Sequence, residues 1–147
     1  MTLPDPLYND WINQQIRVRP DCLAVYDLTA DRPFTWKQFD ERVDALAHWL
    51  LHTGIRSGDR IAYLGLNSSD VLEIFFATLR IGAAYVPLNF RLTPPELSFI
   101  VSDCTPSAIF YDRSFRDVID AIDAKVEPEA LVESALDGSE SAYERCF

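Results

Sequence analysis

Arg60-Ile-Ala-Tyr-Leu-Gly-Leu66, followed at once by Asn67-Ser-Ser-Asp70, decides the fold class. The first stretch is near-continuously apolar rather than alternating, the pattern of a strand covered on both faces in a parallel sheet. The polar quartet behind it caps a predicted helix carrying Val71, Leu72, Phe75, Phe76 and Leu79, which Gly82 stops. Ala83-Ala-Tyr-Val-Pro-Leu88 returns as a strand, with Pro87 near its end, where a missing ladder donor is tolerated.

The same alternation extends in both directions. Downstream, Thr93-Pro-Pro-Glu96 combines a cap, a proline at the first helical position and an acid at the third, opening a helix through Leu97, Ile100 and Val101. Ser107-Ala-Ile-Phe-Tyr-Asp112 reads as the next strand, and Ser114 opens a last helix with Phe115, Val118, Ile122 and Val126 on one face. Upstream, Thr35-x-x-Gln38 is a capping-box signature ahead of Trp36, Phe39, Val43, Leu46 and Leu50, so a helix runs to about His52, with Gly54 as its left-handed stop. Leu23-Ala-Val-Tyr-Asp-Leu28 is a compact apolar run closed by the turn Thr29-Ala-Asp-Arg-Pro33. Leu7 to Val18 reads as a short amphipathic helix placing Tyr8, Trp11, Ile12, Gln15 and Ile16 at helical spacing, with Pro20 as its stop. Strand and helix alternating from residue 23 to about 126 predict an α/β fold: a three-layer, mostly parallel sheet with flanking helices.

The chain has 147 residues, 48% of them apolar. At that length folding removes roughly 68–70% of the chain's surface from water, which supports a core without disulfides or metal. Cys22, Cys104 and Cys146 are an odd number without Cys-x-x-Cys spacing, which argues against a disulfide framework and a zinc ribbon. The formal charge is −10, of which Asp117–Phe147 carries −7, leaving −3 for residues 1–116. An acidic tail on a near-neutral body disfavours nucleic acid and anionic membrane as partners. No apolar run reaches the ~20 residues of a membrane span, and the first residues lack a secretory signal, so a cytosolic protein is expected.

The residues offer no active site. His48 and His52 have the i, i+4 spacing of helix-borne metal ligands, but they fall beside Glu41 on the polar face, with no third ligand. Five glycines, Gly54, Gly58, Gly65, Gly82 and Gly138, are too scattered for a phosphate-cradling loop. Gly65-Leu-Asn-Ser-Ser69 follows a strand and opens a helix, so its amides have the setting of an anion site, although a plain helix cap is the simpler reading. Neither lysine, Lys37 or Lys125, follows a glycine as a phosphate-gripping lysine would. Cys104 has no sequence-near histidine and reads as packing.

Taken together, Pro20-Asp21, Phe34-Thr-Trp-Lys-Gln-Phe39, Gly58-Asp-Arg-Ile-Ala62, Asn67 and Leu79-Arg-Ile-Gly-Ala-Ala-Tyr-Val-Pro-Leu-Asn-Phe-Arg91 resemble the start of the adenylate-forming superfamily, which includes acyl-CoA synthetases, luciferases and peptide-synthetase adenylation domains. The resemblance covers about residues 7 to 112, and Gly82 to Arg91 is its most specific piece. Tyr85-Val-Pro-Leu-Asn-Phe-Arg91 looks more like an acyl-CoA synthetase than a peptide-synthetase domain, which typically has Ile-Asp after that proline.

The resemblance implies two-step chemistry: a carboxylate attacks the α-phosphorus of ATP to give an acyl-adenylate, then a thiol, usually coenzyme A, displaces AMP. It implies ATP, Mg²⁺ and coenzyme A as cofactors, and a fatty or aryl carboxylic acid as substrate, for the complete enzyme. The family's phosphate loop, nucleotide-binding segments, metal-binding acid and C-terminal lysine have no counterpart here, so no catalytic, cofactor-binding or metal residue carries over to a numbered position. Residues 1–147 are therefore expected to be a partial N-terminal synthetase domain with an acidic tail over 117–147, inactive alone. The alternative is a non-catalytic α/β module that associates with itself or a partner through exposed sheet edges.

Overall fold

The computed structural model describes residues 10–122 and 131–134. Two compact units result, one from Met1–Ser57 with Asn67–Ala83 and the other from Gly58–Leu66 with Ala84–Phe147. The start of the predicted first helix at Leu7, together with Lys125, Val126, Cys146 and most of the acidic tail, lies outside the described residues.

In the first unit, α1 (Trp11–Val18) is capped by Asp10, whose carboxylate accepts from the Asn13 backbone N–H at 3.1 Å. β1 (Leu23–Asp27) and β2 (Arg32–Thr35) form an antiparallel hairpin, with Val25 opposite Phe34 and Asp27 opposite Arg32. The sequence reading took residues 29–33 as a turn and missed β2, because a four-residue strand containing Arg32 and Pro33 lacks an apolar signature. α2 (Trp36–His52) begins with the expected capping box: the Gln38 N–H donates to Thr35 Oγ1 at 3.2 Å, and the Thr35 N–H donates back to Gln38 Oε1 at 2.9 Å. Phe39, Val43, Leu46 and Leu50 are buried as the periodicity requires, and Gly54 takes φ +99° past the helix end.

α3 (Ser69–Arg80) departs from its reading. Its fully buried positions are Ser69, Asp70, Glu73, Ile74, Ala77, Thr78 and Arg80, whereas Val71, Phe75, Phe76 and Leu79 are half-buried and Leu72 is exposed. The reason is a partner for every buried charge, since burial of an unpaired ion is prohibitive. Arg42 Nε donates to Glu73 Oε1 at 2.6 Å, and Arg80 reaches Asp44 at 2.6 Å, Asp40 at 3.0 Å and Asp10 at 3.2 Å. Burial works against the Arg80 charge, but the three carboxylates outweigh it and hold the guanidinium's pKa above its ordinary value.

The second unit contains a parallel sheet of order β4-β3-β5-β6, from β3 (Arg60–Leu64), β4 (Ala84–Leu88), β5 (Ala108–Asp112) and β6 (Leu131–Ser134). Leu64 pairs with Leu88 on one side and Tyr111 on the other. Ile61 to Leu64 and all of β5 are buried, as a strand covered on both faces must be. Leu97 and Val101 of α4 (Pro94–Cys104), with Ile119 of α5 (Arg116–Asp120), pack against Ala62, Leu64, Leu88, Ile109 and Tyr111. α4 starts as expected, with the Thr93 N–H and hydroxyl both donating to Glu96 Oε2. Arg60 ties down its end: Nε donates to the Cys104 carbonyl at 2.7 Å and Nη2 to the Thr105 carbonyl at 2.8 Å, satisfying acceptors the helix leaves open. The last helix is shorter than predicted. A 3-10 turn at Arg113–Phe115 leads into five helical residues, and Ile119 is the buried one.

Gly82 sits at φ +74°, the left-handed stop the sequence predicted. Gly82→Val is expected to lose about 1–2 kcal/mol or more in denaturant titration, and Gly82→Asn less. Gly65 is constrained by space instead. A Cβ there would press on the Tyr63 hydroxyl and lie 2.7 Å from Tyr63 Cζ and 3.0 Å from Asp112 Cβ. Gly65→Ala is expected to cost about 1–3 kcal/mol, with a smaller loss in a Tyr63→Phe background, measured by the same titration.

Candidate functional site

The setting of an anion site at the start of α3 is real, and the protein fills it. Asp27, at the end of β1, accepts at Oδ2 from the Ser69 N–H at 2.9 Å and from the Ser69 hydroxyl at 3.0 Å. Its Oδ1 accepts from the N–H groups of Thr29 and Ala30 at 3.1 and 3.0 Å, so one carboxylate shapes the hairpin turn and occupies the helix N-terminus. Burial tends to raise the Asp27 pKa, but these donors outweigh it and lower it to about 2. Arg32 Nη2 lies 3.5 Å from Asp27, 2.9 Å from Ser69 Oγ and 3.3 Å from Asp70. The simpler reading, a cap, therefore holds, but the cap arrives from a residue 42 positions away. Ser68, the local N-cap, makes no side-chain cap bond.

In the parallel sheet, chain order reverses between β3 and β5: the chain leaves β3 for β4 on one side and then crosses to β5 on the other. Open parallel sheets take ligands at the carboxyl ends of strands flanking such a reversal. Those ends carry Gly65 after β3 and Asp112 at the end of β5. Asp112 is 2% exposed; Oδ1 accepts from the Ser114 N–H and hydroxyl, both at 2.9 Å, while Oδ2 has no hydrogen-bond partner. The sequence reading treated Asp112 only as a strand end. An aspartate closing an apolar strand at an order reversal is the available signal, but the reversal itself is invisible before the strands are paired. Chemically, Asp112 offers an acceptor to a donor; no nucleophile-base pair accompanies it among the described residues.

The other candidates bond locally or stand at the surface. His48 Nδ1 lies 2.8 Å from the Asp44 carbonyl and His52 Nδ1 lies 2.8 Å from the His48 carbonyl, so each ring bonds back onto its own helix. Among the described residues no cluster of His, Cys, Asp or Glu is placed to hold a metal ion. Cys104 Sγ donates to the Val101 carbonyl at 3.8 Å, and burial pushes its pKa up, away from a reactive thiolate. Cys22 is an exposed free thiol, and Lys37 is exposed in the first turn of α2.

A family model described as AMP-binding enzyme matches residues 12–145. The long-chain-fatty-acid–CoA ligase FadD13 of Mycobacterium tuberculosis is 34% identical over 134 residues, which are 91% of this chain and 26% of that protein. A crystal structure of the N-terminal domain of FACL13, also from Mycobacterium tuberculosis, superposes with TM-score 0.75 at 32% identity, covering 86% of this chain and 32% of that one. The anthranilate CoA ligase AuaEII, solved in complex with anthranoyl-AMP, gives TM-score 0.81 at 25% identity over 97% of this chain and 28% of its own. The chain thus spans about a quarter of the length of the curated relative it matches. By the extent of these matches, the chain belongs to the AMP-binding enzyme family and corresponds to the N-terminal part of its acyl-CoA ligases.

Proposed function

We propose that this chain supplies the first part of the large domain of an AMP-forming carboxylic acid–CoA ligase acting on a fatty or aryl acid in the cytoplasm. The observation that carries this reading is the family match over residues 12–145, supported by relatives named for a long-chain fatty acid and for anthranilate. No helix among the described residues is long and apolar enough to cross a membrane.

ATP, Mg²⁺ and coenzyme A are the groups this chemistry requires, and the described residues do not fit them. The one helix N-terminus with the setting for a phosphate holds Asp27 instead, so an anion there would meet a carboxylate. Lys37 lies on an exposed helical turn outside any loop that would cradle a triphosphate. Placing several phosphate oxygens against amides, cations and Mg²⁺ provides most of the rate in transfer at phosphorus. In this reading those parts come from the remaining length of the enzyme, and these residues build the scaffold that carries them.

Two expectations test it. The 147-residue chain, incubated with Mg-ATP, labelled pyrophosphate and a panel of fatty and aryl acids, should give no acid-dependent exchange of label into ATP; exchange above a no-acid control would overturn the scaffold reading. A chimera with this chain in place of the matched segment of FadD13 should form an acyl-adenylate, and a folded but inert chimera would count against the family role. A second reading, self-association, rests on β4 at the edge of the sheet and on exposed Leu23, Leu28 and Phe99. Sedimentation of the isolated chain as a monomer at all concentrations would remove it.

A further inference from the structure

Where β1, β2 and α3 of the first unit meet α2, three carboxylates and two guanidinium groups share one interior. Asp70 and Glu73 are wholly buried, and Asp27 is 6% exposed. Arg32 bonds Asp27 and Asp70, Arg42 bonds Glu73, and both guanidinium groups lie over the Phe34 ring, at 5.8 and 5.1 Å from its centroid. Asp70 and Glu73 are three residues apart on α3, hence on one face, and Asp70 Oδ2 has no hydrogen-bond partner. Among these groups the carboxylates outnumber the guanidinium groups by one. Further along the same helix, Arg80 is already shared by Asp10, Asp40 and Asp44 and is committed to those acids.

We propose that a proton on Glu73 completes this array, making the packing of α3 against α2 and the hairpin a pH-sensitive joint that tightens on protonation and loosens when the carboxylate forms. With Glu73 neutral, two carboxylates face two guanidinium groups and the interior is balanced. With Glu73 ionised, the carboxylates of the array exceed its guanidinium groups by one negative charge, and burial of Asp70 and Glu73 makes that excess costly. The Arg42 bond survives in both states, because the Glu73 carbonyl oxygen accepts from Nε either way.

The balance of burial and charge at Glu73 points the same way. Burial pushes Glu73 up to about 7; Arg42 and Arg32 oppose the rise and Asp70 adds to it. A pKa above the ordinary 4.5 means that the contribution of Glu73 to stability is complete below pH 4.5 and is lost as pH rises through 7. Asp27, lowered from 3.8 to about 2, has the opposite sign: its contribution is present above 3.8 and lost as pH falls toward 2. Burial raises Asp70 and Asp40 as well, so the upper window is shared, and the Glu73→Gln variant isolates the part that belongs to Glu73.

All three tryptophans of the sequence, Trp11, Trp36 and Trp49, lie in the first unit, so their fluorescence in denaturant reads this joint. Between pH 5 and 7 the wild-type folding constant should fall several-fold per pH unit, with about tenfold per unit as the ceiling for one proton. Glu73→Gln keeps an acceptor for Arg42 without a charge and should flatten that slope. Asp70→Asn removes the neighbouring like charge, makes Glu73 easier to ionise and should move the transition to lower pH. A wild-type constant that is flat from pH 5 to 7 would overturn the proposal whether or not either variant folds. So would a Glu73→Gln protein retaining the wild-type slope, or an Asp70→Asn transition that does not move.

Discussion

Arg80 is 5% exposed and bonded to three carboxylates from two other helices. Much of the first unit depends on that one guanidinium. Asp10 caps α1 with one oxygen and reaches Arg80 with the other, so the register of α1 is tied to the end of α3. Asp40 and Asp44, one turn apart, bring the first half of α2 to the same point. Removing the guanidinium would leave three acids facing one another in a partly dry interface, and breaking a buried pair in this way typically costs about 3–5 kcal/mol. Apolar packing of Phe39, Val43 and Leu46 supplies most of the attraction between elements, while the ion pairs select which helix face turns inward.

That division explains what was legible in the sequence. Strands β3 and β5 could be read because burial on both faces requires unbroken apolar runs. α2 could be read because its stripe is apolar and its cap is local, with donor and acceptor three residues apart. α3 misled because periodicity scores hydrophobicity: a face buried through Asp70, Glu73 and Arg80 looks like a solvated one until its partners on α2 and the hairpin are known. β2 and the Asp27 cap were hidden for a related reason, since their meaning lies in contacts 37 to 42 residues away.

The candidate site was less legible than the fold. Helical geometry and the absence of partners nearby in sequence speak against a site at His48, His52 and Cys104, and in the structure each makes a local bond. Asp112 required the strand order, which no local pattern encodes. Family membership came through a different channel: the words around Gly82 to Arg91 are specific although their residues have structural duties. Gly82 turns the chain left-handed, and Pro87 stands in a strand that, among the described residues, has a neighbour on one side.

The strand order also governs how the chain can assemble. β3 is flanked by β4 and β5, so its second neighbour begins 44 residues after β3 ends. Parallel pairing admits no short hairpin, and each partner closes a long loop before it gains a hydrogen bond. During synthesis β3 therefore emerges well before either partner and waits with both edges open. Non-local topology of this kind slows folding and prolongs exposure of sticky edges. The time between translating Leu64 and Asp112 is thus the interval in which β3 keeps at least one edge open.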